Sequence, residues 1–87
     1  MTRYVVIVDP KVEKEIDALR DQTMRVRLWA AIRALAENPR PPRVKKMVGT
    51  EANWRIRVGD WRIVYRIEDG RLTVLVFEAG WRKEVYR

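Results

Sequence analysis

Two spacings of apolar residues divide the chain into a helical first half and an extended second half. Up to about residue 37, apolar side chains recur three and four positions apart, as they do on one face of an amphipathic helix. From residue 54 they alternate with polar side chains, as in strands that have one buried face. The change of period predicts an α+β protein whose helices precede a hairpin-rich sheet.

The first forty residues are predicted to form one strand and two helices. The apolar, β-branched run Tyr4–Val8 indicates a strand that stops at Asp9-Pro10, where aspartate can cap a helix and proline fits its first turn. Helices are predicted over Pro10–Arg20 and Thr23–Glu37, and the second ends at Asn38-Pro39. Two amphipathic helices with a short joint form a hairpin that must bury its apolar stripes on another layer.

The remainder is predicted to be a loop followed by three strands. Residues Pro39–Asn53 form the loop, rich in proline and basic at its centre. The strands and the turns between them are Trp54–Val58, Gly59-Asp60, Trp61–Ile67, Asp69-Gly70 and Leu72–Glu78. The order βααβββ predicts a single small domain over residues 1–87. In it, the helical hairpin packs on one face of a mainly antiparallel, four-stranded twisted sheet.

The turn at Gly59-Asp60 also predicts which side chains share a face of the sheet. A two-residue turn sets Arg57 opposite Arg62 and turns the tryptophans and isoleucines of these strands towards the helices. The opposite face then carries Arg55, Arg57, Arg62 and Arg66. We expect the two central strands to bring no acidic residue there, and directly opposed like charges destabilise a strand pair. Bound phosphates would supply the missing negative charge, since the arginine fork grips phosphate well.

Composition supports a polyanionic partner and excludes several kinds of chemistry. Lysine and arginine number 19 against 12 aspartates and glutamates, a formal net charge of +7. The chain has neither cysteine nor histidine, which excludes disulfides, a thiolate nucleophile and an ordinary zinc site. We expect no metal and no cofactor. With no apolar run long enough to span a membrane and no secretory signal, a cytoplasmic protein is expected.

Four short motifs follow one another along the chain: Asn38-Pro39, Lys45-Lys46 with Gly49, WRIRVGDWR at 54–62 and GWRKEVY at 80–86. In order and spacing they resemble the RelE/ParE toxin superfamily of type II toxin–antitoxin systems, over nearly the whole chain. The resemblance implies a ribosome-dependent endoribonuclease that cuts mRNA in the A site by attack of the ribose 2′-hydroxyl, so inhibiting translation. It also implies a cognate acidic antitoxin, bound in a hetero-oligomer.

The resemblance assigns roles to individual residues. It makes Arg57, Arg62, Arg82 and Tyr86 the catalytic candidates and Arg55 an RNA-binding candidate. The remaining RNA-binding candidates come from the residues themselves: Arg66 from its place on the predicted basic face, and Lys45 and Lys46 from the charge of the loop. Proton transfer has no obvious residue, because arginine stays protonated and many relatives carry histidine where Trp81 stands. Two other functions remain open: a ParE-like inhibitor of DNA gyrase with the same fold, and a non-catalytic module that binds RNA or the ribosome.

Overall fold

Two helices and five strands make up the part of the chain that the computed structural model describes, residues 3–42, 44–46 and 53–81. The elements are β1 Val5–Val8, α1 Pro10–Asp17, α2 Gln22–Ala34, β2 Lys45–Lys46, β3 Asn53–Val58, β4 Trp61–Glu68, a 3₁₀ helix at Asp69–Arg71, and β5 Thr73–Trp81. The strands form one sheet in the order β1-β5-β4-β3-β2. β1 runs parallel to β5, and the other neighbouring strands are antiparallel. The predicted α+β fold is confirmed.

Each helix begins at an aspartate cap. The side chain of Asp9 accepts a hydrogen bond from the amide of Lys11, and Pro10 occupies the first turn of α1. Asp21 caps α2 in the same way by accepting from the amide of Met24 at 3.0 Å. Both helices end about three residues before their predicted ends. Among the described residues, neither helix is long and apolar enough to cross a membrane.

The hydrophobic core lies between the helical hairpin and one face of the sheet. It contains Val12 and Ile16 of α1, Leu28 and Ile32 of α2, and alternate residues of β3, β4 and β5. At its centre Tyr65 is fully buried, and its hydroxyl donates to the carbonyl oxygen of Pro39 at 2.7 Å. Burial raises the pKa of this tyrosine far above its ordinary value. This hydrogen bond therefore holds the segment after α2, at Pro39, against β4.

The predicted loop and one predicted turn are corrected by the structure. Lys45–Lys46 lies in the segment predicted to be a loop, yet it pairs with the edge of β3 as a two-residue strand. An edge strand offers unpaired backbone groups, so even a short extended segment beside it can add to the sheet. The Asp69-Gly70 turn is a 3₁₀ helix, and Leu72 after it has a φ of 47°, so β5 starts at Thr73.

A polar network closes the end of the sheet where β4 turns into β5. The carboxylate of Asp69 accepts a hydrogen bond from the Tyr4 hydroxyl at 2.7 Å and two from the Arg40 guanidinium at 2.9 and 3.2 Å. The same guanidinium lies 5.1 Å from the ring centroid of Trp54. The hydrogen bonds that Asp69 accepts from Arg40 and Tyr4 lower the pKa of its carboxyl group. The hydrogen bond that the Tyr4 hydroxyl donates to Asp69 raises the pKa of Tyr4. The network ties the chain after α2 to the residue before β1, to the 3₁₀ helix after β4 and to β3.

Candidate nucleic-acid interface

The β3–β4 turn aligns the two central strands in the predicted register. Gly59 has a φ of +60°, a conformation that favours glycine, and a Cβ built on it would lie 2.9 Å from the Met24 Cε of α2. Beyond the turn, Arg57 pairs with Arg62 and Ile56 with Ile63. The prediction that the large apolar side chains face the helices is confirmed, because Ile56, Ile63 and their alternate neighbours belong to the core.

We call the opposite side of β3 and β4 the arginine face, defined by Arg55, Arg57, Arg62 and Arg66. Arg57 and Arg62 are direct cross-strand partners, so their Cβ atoms lie about 4.5–5.5 Å apart. Arg55 lies two residues before Arg57 on the same face, about 6.6–6.8 Å along the strand. Positive charge is therefore concentrated near the turn between the two strands.

The arginines of this face differ in their exposure. Arg57 is exposed, and its Nε donates to the carbonyl oxygen of Gly59 at 3.1 Å. Arg55 is half-buried. Arg62 is only 5% exposed, although it lies on the side of the sheet that faces away from the helices. Its partner on β5 is Gly80, which has no side chain beside the guanidinium.

The expectation of a face without acidic residues is wrong at the far end of β4. This strand runs one residue beyond its predicted end and includes Glu68, which alternation places on the arginine face. The Glu68 carboxylate lies 3.5 Å from the Nε of Arg66 through its Oε1 and 4.0 Å from the Nη1 of Arg71 through its Oε2. Arg66 thus has a carboxylate partner, whereas Arg57 near the turn lies on the part of the face where positive charge is densest.

A second carboxylate, Glu78, reaches the arginine face from β5 and was missed by sequence reasoning. It is exposed and pairs with Val64 of β4, which stands on this face between Arg62 and Arg66. The pairing shifts between Val64 and Tyr65, so Phe77 is an extra residue on β5. Alternation along β5 carries no signal of this shift.

Of the remaining candidate residues, the structure describes the strand pairing of Lys45 and Lys46. Lys45 is opposite Arg55 in the pairing of β2 with β3, whereas Lys46 is opposite Trp54 on the other side of the sheet. Lys46 is exposed. Arg82 and Tyr86 lie outside the described residues. Arg55, Arg57 and Arg62 are therefore the predicted residues that the structure brings together, with Lys45 beside them in the register.

The arrangement suits the binding of phosphate groups. Guanidinium groups on neighbouring strands can form paired hydrogen bonds to the oxygens of a phosphodiester and neutralise charge that develops on it. In the described part of the chain, no group of three or more acidic residues could hold a metal ion. The arginines of this face offer electrostatic stabilisation, and the Glu78 carboxylate lies beside them.

Comparison with known proteins agrees with this fold. A family model described as "ParE toxin of type II toxin-antitoxin system, parDE" matches residues 6–86. The chain is 25% identical to a chain of the archaeal RelE–RelB complex from Pyrococcus horikoshii, with 94% of this chain and 97% of that chain covered and a TM-score of 0.81. No curated protein sequence matches the chain.

Two Escherichia coli structures are also similar to the chain. The isolated RelE toxin is 29% identical, with 95% of this chain and 90% of that chain covered and a TM-score of 0.76. A chain of the intact RelBE toxin–antitoxin complex is 26% identical, with 90% and 95% covered and a TM-score of 0.75. The matching family model is thus named for ParE, whereas the similar structures are RelE toxins with the same fold.

Proposed function

The chain belongs to the ParE toxin family of type II toxin–antitoxin systems, and we propose that it is a ribosome-dependent endoribonuclease acting on mRNA in the A site. The observation that carries the proposal is the direct opposition of Arg57 and Arg62 on the arginine face. Directly opposed like charges destabilise a strand pair, and a bound phosphate offsets that repulsion. A face built to receive phosphate is what an RNA-cutting toxin requires.

Binding is assigned to the wider basic surface. Arg55 and Arg57 are spaced along β3 so that they reach different phosphates of one RNA backbone. Lys45, Lys46 and Arg66 add longer-range attraction around this centre, with Arg66 weakened by its Glu68 partner. The formal net charge of +7 favours association with RNA and with the ribosome in the same way.

Catalysis is assigned to the residues nearest the scissile phosphate. The ribose 2′-hydroxyl attacks the neighbouring phosphorus, and negative charge builds up on the phosphate oxygens. Arg57 and Arg62, with Arg82 from the family resemblance, neutralise that charge. Tyr86, also from the resemblance, orients the RNA or gives a proton to the leaving oxygen.

The partner follows from the family, since type II toxins are inhibited by a protein antitoxin. The RelE chains of the Pyrococcus horikoshii and E. coli complexes are bound to RelB. We propose a cognate acidic antitoxin that binds this chain in a cytoplasmic hetero-oligomer. Its negative charge complements the arginine face.

One observation favours a second target. The matching family model is the one described for the parDE system, while the similar structures are RelE toxins. A ParE-like inhibitor of DNA gyrase would keep the same fold and would not need an RNA-cleaving centre. The alternative therefore differs from the main proposal in its target.

The test is single-turnover cleavage of mRNA in the A site of programmed ribosomes, with gyrase supercoiling assayed in parallel. The wild type should cleave the mRNA, and Arg57→Ala should lower the rate by about 10²–10³. Arg33→Ala is the matched control, because it removes the same charge from the exposed surface of α2. Inhibited gyrase with intact mRNA would establish the ParE-like target. Ribosome binding without cleavage or gyrase inhibition would leave a non-catalytic module.

A further inference from the structure

The proposed cleavage needs a group that accepts the proton of the 2′-hydroxyl. Arginine cannot do so, because it stays protonated in proteins. The chain has no histidine and no cysteine. A base for this reaction has to come from a carboxylate, a tyrosine or a lysine.

The bulge in β5 determines where one carboxylate lies. Val74 and Val76 are buried in the core, and uninterrupted alternation would turn Glu78 towards the core as well. Instead Tyr65 pairs with Val76 while Val64 pairs with Glu78. The one extra residue moves Glu78 to the arginine face, since a shift of one position exchanges the two faces of a strand. Bulges commonly redirect a side chain in this way beside active sites.

Glu78 stands close to Arg62, one of the two arginines that bind phosphate in the proposed function. Gly80 is directly opposite Arg62, so Glu78 occupies the diagonal position two residues away, about 7–8 Å across the sheet. Gly80 places no side chain between them, and Glu78 is exposed. A phosphodiester held by Arg57 and Arg62 would thus have this carboxylate on its Arg62 side.

We propose that Glu78 is the general base of the reaction, an inference that rests on the endoribonuclease function proposed above. Its carboxylate takes the proton as the bond from the 2′-oxygen to phosphorus forms. The bond from phosphorus to the 5′-oxygen breaks, and that oxygen takes a proton from water. The products are a 2′,3′-cyclic phosphate and a 5′-hydroxyl, and Glu78 returns its proton to water.

The effects of Glu78→Gln on binding and on chemistry have opposite signs, which makes the role testable. The substitution keeps the shape and removes a negative charge beside the arginines, so RNA should bind as tightly as before or more tightly. The cleavage rate should nevertheless fall by about 10²–10⁴, the usual contribution of a positioned acid or base. A carboxylate that only holds an arginine in place would not separate binding from rate in this way.

The experiment measures single-turnover cleavage of A-site mRNA at saturating toxin, together with the affinity for the programmed ribosome. Glu15→Gln is the matched control, because it removes the same charge from the exposed surface of α1 and should cleave like the wild type. Formate added to Glu78→Ala should restore part of the lost rate, because it replaces the missing carboxylate. The same formate should not help Arg57→Ala. Thermal unfolding of each variant checks that the fold is retained.

Three results would overturn the assignment of Glu78. The first is a Glu78→Gln variant that cleaves as fast as Glu15→Gln. The second is a loss of rate matched by an equal loss of affinity, and the third is a Glu78→Ala variant that formate does not restore. Each leaves the nuclease proposal standing, provided that the wild type cleaves. A wild type that leaves mRNA intact would instead refute the nuclease function itself.

Discussion

Arg57 and Arg62 are direct partners across the β3–β4 pair, yet Arg57 is exposed and Arg62 is 5% exposed. The difference comes from their neighbours. Arg57 belongs to the turn end of β3, whereas Arg62 lies on the central strand β4, between β3 and β5. Two side chains of the same type and on the same face therefore contribute differently to stability and to binding.

Replacing Arg62 with alanine should destabilise the fold, whereas replacing Arg57 should remove surface charge with little effect on stability. Arg62→Ala removes a buried aliphatic stem and a guanidinium, and should lower the free energy of unfolding by about 1–3 kcal/mol. Arg57→Ala should change it by less than about 0.5 kcal/mol, because the side chain is exposed and its loss relieves repulsion. Urea unfolding followed by circular dichroism measures both values. Equal losses in the two variants would contradict the burial of Arg62.

RNA binding should depend strongly on salt concentration. Each phosphate contact to single-stranded RNA contributes about 0.7 to the slope of the logarithm of affinity against the logarithm of salt concentration. Arg57→Ala removes about one phosphate contact and should therefore make the slope smaller by about 0.7. Arg33→Ala on α2 should leave the slope unchanged. Fluorescence anisotropy with a short single-stranded RNA between about 50 and 300 mM salt, a range that brackets the physiological ionic strength of about 150 mM, measures it. An affinity that does not change with salt would count against binding through the arginine face.

The antitoxin should recognise both charge and apolar surface. An acidic segment of the antitoxin should order on the toxin opposite Arg55 and Arg57, and cover exposed side chains such as Val5 and Ile7 of β1, which are 62% and 51% exposed. Calorimetry with the cognate antitoxin should show weaker binding for the double variant Arg55→Glu, Arg57→Glu. The control is Arg33→Glu on α2. An affinity equal to that of the control would mean that the antitoxin binds elsewhere.

Asp69 should contribute to stability only while it is ionised. Its hydrogen bonds from Arg40 and Tyr4 lower its pKa in the folded protein. A lowered folded-state pKa gives a contribution that is present above the unfolded-state pKa of about 3.9 and is lost as the pH falls through the folded-state value. The difference in urea midpoint between wild type and Asp69→Asn should therefore be seen at pH 7 and vanish at strongly acidic pH. A difference that persists in acid would show that the effect does not come from the charge.

Local signals in the sequence were sufficient for much of the fold. The Asp9-Pro10 cap, the helical stripes and the turn at Gly59-Asp60 act within a few residues, and each forms close to its predicted position. Because a two-residue turn determines the pairing of the strands that it joins, the opposition of Arg57 and Arg62 followed from the sequence as well. The helix ends and the start of β5 were less well predicted, since ends depend on contacts with the rest of the chain.

The sequence by itself thus determined the α+β fold, the register of β3 with β4 and the face that its arginines share. Only the tertiary structure decided the pairing of Lys45 with Arg55, the burial of Arg62 and the face on which Glu78 lies. The physical reason is that each of these depends on residues distant in the chain. A bulge arises from how β5 fits along β4, and one extra residue there moves a carboxylate from the core side to the arginine face.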